Sequence, residues 1–511
     1  MSEVHNRSVG IDAIYQYTGS GVQLFSGAIF YVIAARMFST SGVGAIALFL
    51  AIIGLFNVIF SMGLGTAAQH FTSYNIGTGN LPGVRKTIFK IILWGFSLSM
   101  AGLLTLLLLS PIVSLIFLHT YTYTRLIRLL SIVLLGNILL GILNGALLGM
   151  QNFRTSALLG IVVWIVYYFG SIVLAYTFHN IDTIVFGWIF GIFLGIALEL
   201  IVVIMGVKRF KGPGNSPPNL LIFRYSLPIL VSGIISYGAA YTDRFIVAGL
   251  LSLSDLGIYN FALLISTSVA FIAIPFNSIL MPKFSELFGN GRFTEIASRV
   301  RASSLLLTSI YVPLALGVAA LSGPALLLVG GVDYSGGSVP LRIIMFTSAL
   351  FVSSNILIQA IASVRKTKVF LYVSAATLAS NAILSIILIP RLGLIGASIG
   401  YSSVYAASFI LLYYFSRRMN LVKLDISGII KVWISSAIMF AVVELSQLTL
   451  GEMYGSTLLL LPVYILFGAI SYIFCAKLFG IFGKEDRDLV LSLFPEKYYV
   501  LRKALSFFVI H

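Results

Sequence analysis

The sequence predicts an all-α polytopic membrane protein of about 14 transmembrane helices, arranged as two parallel six-helix repeats plus two accessory helices. Three observations carry this prediction. The 511 residues are 59% hydrophobic and only 9% charged, with a mean hydropathy of +1.04, which leaves too little charged surface for a water-soluble domain. Apolar runs of about 20 residues, the length that crosses a bilayer as a helix, recur along the whole chain. The cations stand at the ends of those runs, so the net charge of +16 reports on topology and anionic membrane lipids rather than on nucleic acid.

Taken in order, the runs cover 14–37, 43–68, 88–110, 126–148, 155–177, 184–207, 225–250, 257–279, 302–327, 341–362, 369–389, 396–414, 428–449 and 457–478. The opening residues MSEVHNRSVGID are polar, so no cleavable signal peptide is expected and the first span serves as the insertion signal. The 47 glycines and 14 prolines do not bar helices here, because neighbouring helices re-satisfy the backbone groups they free in lipid. With the N-terminus inside, only Arg36, Arg125, Arg128, Arg244, Arg342 and Arg391 of the 32 Lys and Arg residues fall on the outer side. That asymmetry places both termini in the cytoplasm of a cell membrane.

An internal repeat with an offset of about 214 residues organises the first twelve spans. Phe38 to Gly44 (FSTSGVG) falls on Leu251 to Gly257 (LSLSDLG), and the Gly77-Thr-Gly79 turn falls on Gly289-Asn-Gly291. Arg128 falls on Arg342, and Arg154 on Lys368. Each half has an even number of spans, so the halves share one orientation, and the axis relating them is a pseudo-two-fold along the membrane normal. The expected domains are an N-terminal lobe at 1–212, a C-terminal lobe at 213–420, accessory helices at 421–479, and a basic amphipathic cytoplasmic tail at 480–511. The linker KRFKGPGNSPPN at 208–219 breaks the helices on either side.

Polar groups inside spans are costly unless they face water or a partner, which makes them the candidate functional residues. Gln16 and Gln23 share a face of the first span with Asp12, and Asn57 lies on the second. Asn355 and Gln359 share a face of the tenth. Arg128 and Arg342 are expected to face each other across the pseudo-axis at the outer mouth of a cavity, where paired guanidinium bonds suit a pyrophosphate; the alternative is that both snorkel at the interface. Arg125 and Arg36 stand at the same level. Glu199, which has no cation in its own span, and Asp243 beside Arg244 are candidates for ion coupling; the alternatives are a cation on a neighbouring helix and a local ion pair. Glycine stripes at Gly141, Gly145, Gly149 and at Gly187, Gly191, Gly195 read as packing faces within one chain.

No catalytic, cofactor or metal site is expected. Cys475 is the single cysteine, no P-loop or HExxH is present, and Asp486-Arg-Asp488 sits in a charged tail without a nucleotide-binding domain.

Several stretches resemble the oligosaccharide-lipid flippases, the polysaccharide-transporter branch of the superfamily that also holds the multidrug and toxic-compound extruders. These are Gly63-Leu-Gly65, the segment from Tyr241 to Phe284 with DRFIV and LGIYNFA, Tyr334 to Arg342 (YSGGSVPLR), Val364 to Lys368, and Ile389 to Ala397 (IPRLGLIGA). The likeness spans roughly 8–418, and a fourteen-span count also looks like this branch. What the resemblance implies is a non-enzymatic flippase turning a polyprenyl- or dolichyl-linked oligosaccharide from the inner to the outer leaflet by alternating access. Its implied partners are the lipid-linked oligosaccharide, anionic lipids and glycan-assembly proteins, and a monomer is expected. The spans carry few arginines at mid-depth, and Gln16, Gln23, Asn57, Asn355 and Gln359 suit sugar hydroxyls. The alternatives are a cation-coupled multidrug or metabolite exporter and a membrane glycosyltransferase or glycan ligase.

Overall fold

The computed structural model describes residues 2–210, 212, 214–364, 366–422, 425–454 and 458–481, with side chains from Tyr15 onward except at 274–279, 282 and 451–454. Most of the tail expected at 480–511 lies outside the described residues. Among the described residues the chain forms seventeen α-helices and no strand. In order they are α1 (Ser2–Met37), α2 (Thr40–Ser61), α3 (Leu64–Gly77), α4 (Leu81–Leu118), α5 (Thr124–Gly149), α6 (Phe153–Phe178), α7 (Asp182–Val207) and α8 (Asn219–Leu250). There follow α9 (Leu253–Ala270), α10 (Ile274–Gly289), α11 (Phe293–Ala320), α12 (Ser322–Val329), α13 (Ser338–Ser363), α14 (Lys368–Leu392), α15 (Leu394–Arg418), α16 (Ile426–Tyr454) and α17 (Leu461–Leu478).

Among the described residues fourteen segments are long and apolar enough to cross a membrane, one for each run read from the sequence. In lipid a helix satisfies every backbone group internally, which is why an apolar chain of this length resolves into helices alone. Pro111, Pro228, Pro313 and Pro390 lie inside helices, as the apolar setting allows.

Two spans differ from the sequence reading. The run 43–68 divides at Met62 and Gly63, which are both left-handed (φ 47° and 68°) and separate α2 from α3. A side chain at Gly63 would also strike Ile229 of α8, so a glycine is required there twice over. The run 257–279 divides as well, with a single 3-10 turn at Phe271–Ala273 between α9 and α10. Apolarity alone does not register a break that keeps both pieces apolar.

The repeat is visible in local geometry. Ser39 caps α2 by accepting the Gly42 N–H at 3.3 Å. Its counterpart Ser252 opens α9 in a reciprocal capping box: Ser252 Oγ accepts the Asp255 N–H at 3.1 Å, and Asp255 Oδ2 accepts the Ser252 N–H at 3.2 Å. The matched glycines Gly79 and Gly291 are both left-handed, at φ 73° and 71°, and each precedes the start of a long helix, α4 or α11.

Contacts gather the chain into two compact units, Met1–Gly257 and Ile258–His511. In the first, Val84 and Ile88 of α4, Leu143, Ala146 and Leu147 of α5, and Val203 and Val207 of α7 form one buried cluster. Helix α8 belongs to this unit: Tyr237 Oη donates to Ala51 O of α2 at 2.7 Å, and Tyr225 stacks on His70 of α3. In the second unit, Leu305, Val312 and Leu316 of α11 pack with Ala349 of α13, Val432 and Met439 of α16, and Tyr472 of α17. Tyr472 Oη donates to Ser309 O at 2.7 Å, so the accessory helices are fastened to α11.

Candidate functional site

Five helices of the first unit, α1, α2, α5, α6 and α7, line a partly open cavity of about 380 Å³ whose wall is about half polar. It exists because small residues let the helices close around it. Gly187 and Gly191 of α7 press on Ser171 and Tyr167 of α6, where a Cβ on Gly191 would come within 2.7 Å of Tyr167 Cα. On α5, Gly145 and Gly149 meet Gly65 and Gln69 of α3 in the same way. Both glycine stripes therefore pack within the chain; the Gly141 carbonyl lies against Gly65, while a side chain at Gly141 would point into the open cavity.

The polar wall is a short hydrogen-bonded chain with loose ends. Gln16 of α1 donates through Nε2 to Phe153 O at 2.8 Å and lies 3.5 Å from Ser156 Oγ, which anchors α1 to the start of α6. Asn144 of α5 donates through Nδ2 to Ser156 Oγ at 2.9 Å and to Glu199 Oε1 of α7 at 3.4 Å. Glu199 is 2% exposed, yet its second oxygen, Oε2, has no hydrogen-bond partner among the described residues. Asn57 Oδ1 on α2 is unpaired in the same sense. Gln23, Ser20 and Asn137 extend the polar lining, and Trp164 of α6 adds one aromatic face. Among the described residues no lysine or arginine lines the cavity.

Gln16, Gln23, Asn57 and Glu199 are thus brought together, although the sequence had set Glu199 apart as an ion-coupling group. Glu199 meets an amide rather than a cation on the neighbouring helix. Sequence reasoning passed over Asn137, Asn144, Ser156 and Trp164. The signal was present: Asn137, Gly141 and Asn144 are spaced i, i+4 and i+7 and so fall on one face of an apolar helix.

The remaining candidates lie elsewhere. Arg128 is exposed on α5 and its Nε donates to Ser110 Oγ of α4 at 3.3 Å. Arg342, on α13 in the second unit, forms an ion pair with Glu444 of α16 at 2.7 Å and lies over the Phe440 ring. Arg125 is exposed near the start of α5, and Arg36 is exposed in the last turn of α1. Asp243 is fully buried on α8, and the Arg244 guanidinium sits 4.2 Å from the centre of the Tyr241 ring, which stacks on Tyr237. Asn355 is buried and Gln359 half-buried on one face of α13. None of these eight lines the cavity of the first unit.

Chemically, the cavity offers amide and hydroxyl groups, one carboxyl and one indole face, within walls that are apolar outside. Such a lining can hold a small polyhydroxylated group by hydrogen bonds while excluding the acyl region of the bilayer.

The fold has known relatives among solved structures. The lipid II flippase MurJ in an inward closed conformation superposes with a TM-score of 0.73 at 16% identity, covering 92% of this chain and 98% of that one. The Vibrio cholerae MATE transporter VcmN gives a TM-score of 0.56 at 16% identity, over 81% of this chain and 99% of that one. A Pyrococcus furiosus transporter of the MOP superfamily, described as having a binding pocket of reverse polarity, gives 0.56 at 13% identity, over 80% and 94%. At these identities the likeness shows a MurJ- and MATE-like fold. No curated protein matches the sequence. Residues 33–339, well over half of the chain, match the family described as polysaccharide biosynthesis protein, and the chain belongs to that family.

Proposed function

We propose that this protein is a flippase that moves a polyprenyl- or dolichyl-(pyro)phosphate-linked oligosaccharide from the inner to the outer leaflet, for surface polysaccharide or glycoprotein assembly. The observation that carries the reading is the polar cavity inside an apolar helical unit of a polysaccharide-biosynthesis family member. A glycan cannot enter hydrocarbon unaided, since each hydroxyl would lose its water partners. Gln16, Gln23, Asn57 and Asn144 replace those partners while the isoprenoid tail stays in lipid. The two lobes read from the repeat, 1–212 and 213–420, alternate access to the two leaflets, with both termini in the cytoplasm and the basic groups at the inner surface on anionic lipid.

The test is leaflet exchange of a fluorescent lipid-linked oligosaccharide in proteoliposomes, comparing the wild type with Gln16→Leu plus Asn144→Leu. Exchange by the wild type and its loss in the folded double variant is the expected result. No exchange of any lipid-linked glycan, with efflux of organic cations on an ion gradient, replaces this reading with the exporter, which the MATE-like fold also accommodates.

A further inference from the structure

We infer that the cavity of the first unit is a subsite for an uncharged sugar ring and that it turns away acidic sugars. The inference rests on reading the cavity as a glycan site and deepens it by naming the substrate class.

The argument starts from which hydrogen bonds are already spent. Both hydrogens of the Asn144 amide are committed, one to Ser156 Oγ and one to Glu199 Oε1. Gln16 Nε2 is spent on Phe153 O. What lines the cavity unspent is the amides of Gln23, Asn57 and Asn137, each with donors and an acceptor; beside them Glu199 Oε2 and Asn57 Oδ1 are buried acceptors without a hydrogen bond among the described residues. Ser156 Oγ takes the Asn144 donor, and its own hydrogen remains to give. Amides left unbonded favour a ligand that both gives and accepts hydrogen bonds without carrying a charge. Hydroxyl groups do both, and Ser156 has a hydrogen to give them, whereas that of Ser20 goes to Gln16 O.

Trp164 supplies the second half of the recognition. Its ring lines the same cavity and is held from behind by stacking with Tyr168 at 6.1 Å between ring centres. An indole face presents an apolar surface against which the C–H face of a pyranose can lie, while its hydroxyl rim reaches the acceptors. A volume of about 380 Å³ holds a small number of sugar rings, not a long chain.

A uronic acid or other acidic sugar fails on two counts. Its carboxylate charge must give up its water on entry, and among the described residues no Lys or Arg lines the cavity to pair with it. The rejection therefore holds whether Glu199 is charged or neutral.

Binding is measured calorimetrically on the full chain in nanodiscs, with a neutral trisaccharide and with the same trisaccharide carrying one glucuronic acid. The neutral sugar is expected to bind at least about tenfold more tightly, the size of leaving one buried polar group unpaired. Trp164→Leu and Glu199→Gln are expected to weaken the neutral sugar severalfold, and the wild-type comparison stands alone if either variant misfolds. Equal or tighter binding of the acidic sugar overturns the inference, as does the absence of binding by both at millimolar concentration. Leaflet exchange is followed in parallel on the same preparations. Selective binding without exchange upholds the subsite and removes the flippase reading; exchange with unselective binding removes the subsite and leaves the flippase.

Discussion

Glu199 and Glu444 are both carboxylic acids on apolar helices, and the two units treat them differently. In the second unit Glu444 meets the Arg342 guanidinium at 2.7 Å, both side chains being partly exposed, so two helices are tied by neutralising one charge with another. In the first unit Glu199, in the wall of the cavity, is almost wholly buried, meets the amide of Asn144, and has one buried oxygen without a hydrogen bond among the described residues. Glu444 has a counter-charge, although its Oε1 is also without a hydrogen bond of good geometry among the described residues. Glu199 meets only a neutral amide, so no opposite charge offsets its burial. That difference favours the first unit, rather than the arginines, for the proposed sugar site.

The comparison breaks most sharply at Asn144. Asn144→Leu removes the donor to both Ser156 and Glu199 and leaves the buried carboxyl with no hydrogen bond, which is expected to destabilise the protein by about 1–3 kcal/mol. Adding Glu199→Met should restore part of that loss, because an apolar side chain carries no unmet bond. Unfolding midpoints in detergent measure both. A double variant less stable than Asn144→Leu alone would mean that Glu199 is not the group left in want.

A smaller effect compares the two repeats. Ser252→Ala removes one side of a reciprocal box with Asp255, while Ser39→Ala removes the cap on Gly42 N and a contact with the Ser41 hydroxyl, with no reciprocal bond to its own N–H. The first is expected to cost about 1 kcal/mol and the second less, by the same unfolding assay. Smaller again is Glu444→Gln. With both partners partly exposed, loss of the ion pair is expected to cost about 0–1 kcal/mol and to leave glycan binding in the first unit unchanged. A loss of glycan binding in this variant would contradict the division of labour between the units.

How far the sequence disclosed this arrangement depended on what kind of pattern each part leaves. Spans are long, and one side chain cannot hide an apolar run, so all fourteen could be read. The break at Met62-Gly63 was not legible, because it needs two left-handed residues and leaves apolarity intact on both sides. Gln16, Gln23 and Asn57 stood out as amides in apolar helices, and the structure brings them to one cavity with Glu199. Asn144 and Ser156 were overlooked because their importance lies in a contact between α5, α6 and α7, which no single helix displays. Arg342 shows the reverse: its repeat position drew attention to Arg128, but its ion-pair partner is Glu444, on an accessory helix outside the repeat.

A third acid shows what happens to a carboxyl outside the membrane spans. Glu286, on α10, is fully solvated and bonds to Lys283 one turn earlier at 2.9 Å. That hydrogen bond and the lysine charge hold its carboxyl below the usual glutamate value, with Arg299 and Arg292 adding smaller pulls in the same direction. Because the folded value is depressed, the contribution to stability is present at neutral pH and fades as pH falls through the folded value. Lys283→Met is expected to raise the Glu286 titration point towards its ordinary position, read by carbon NMR of labelled glutamate, with little change in the unfolding midpoint. An unmoved titration point would show that the more distant arginines set it. A large change in stability would show that an exposed ion pair here acts as Asn144 and Glu199 do inside, and the contrast between amide-paired and charge-paired acids would then not follow burial.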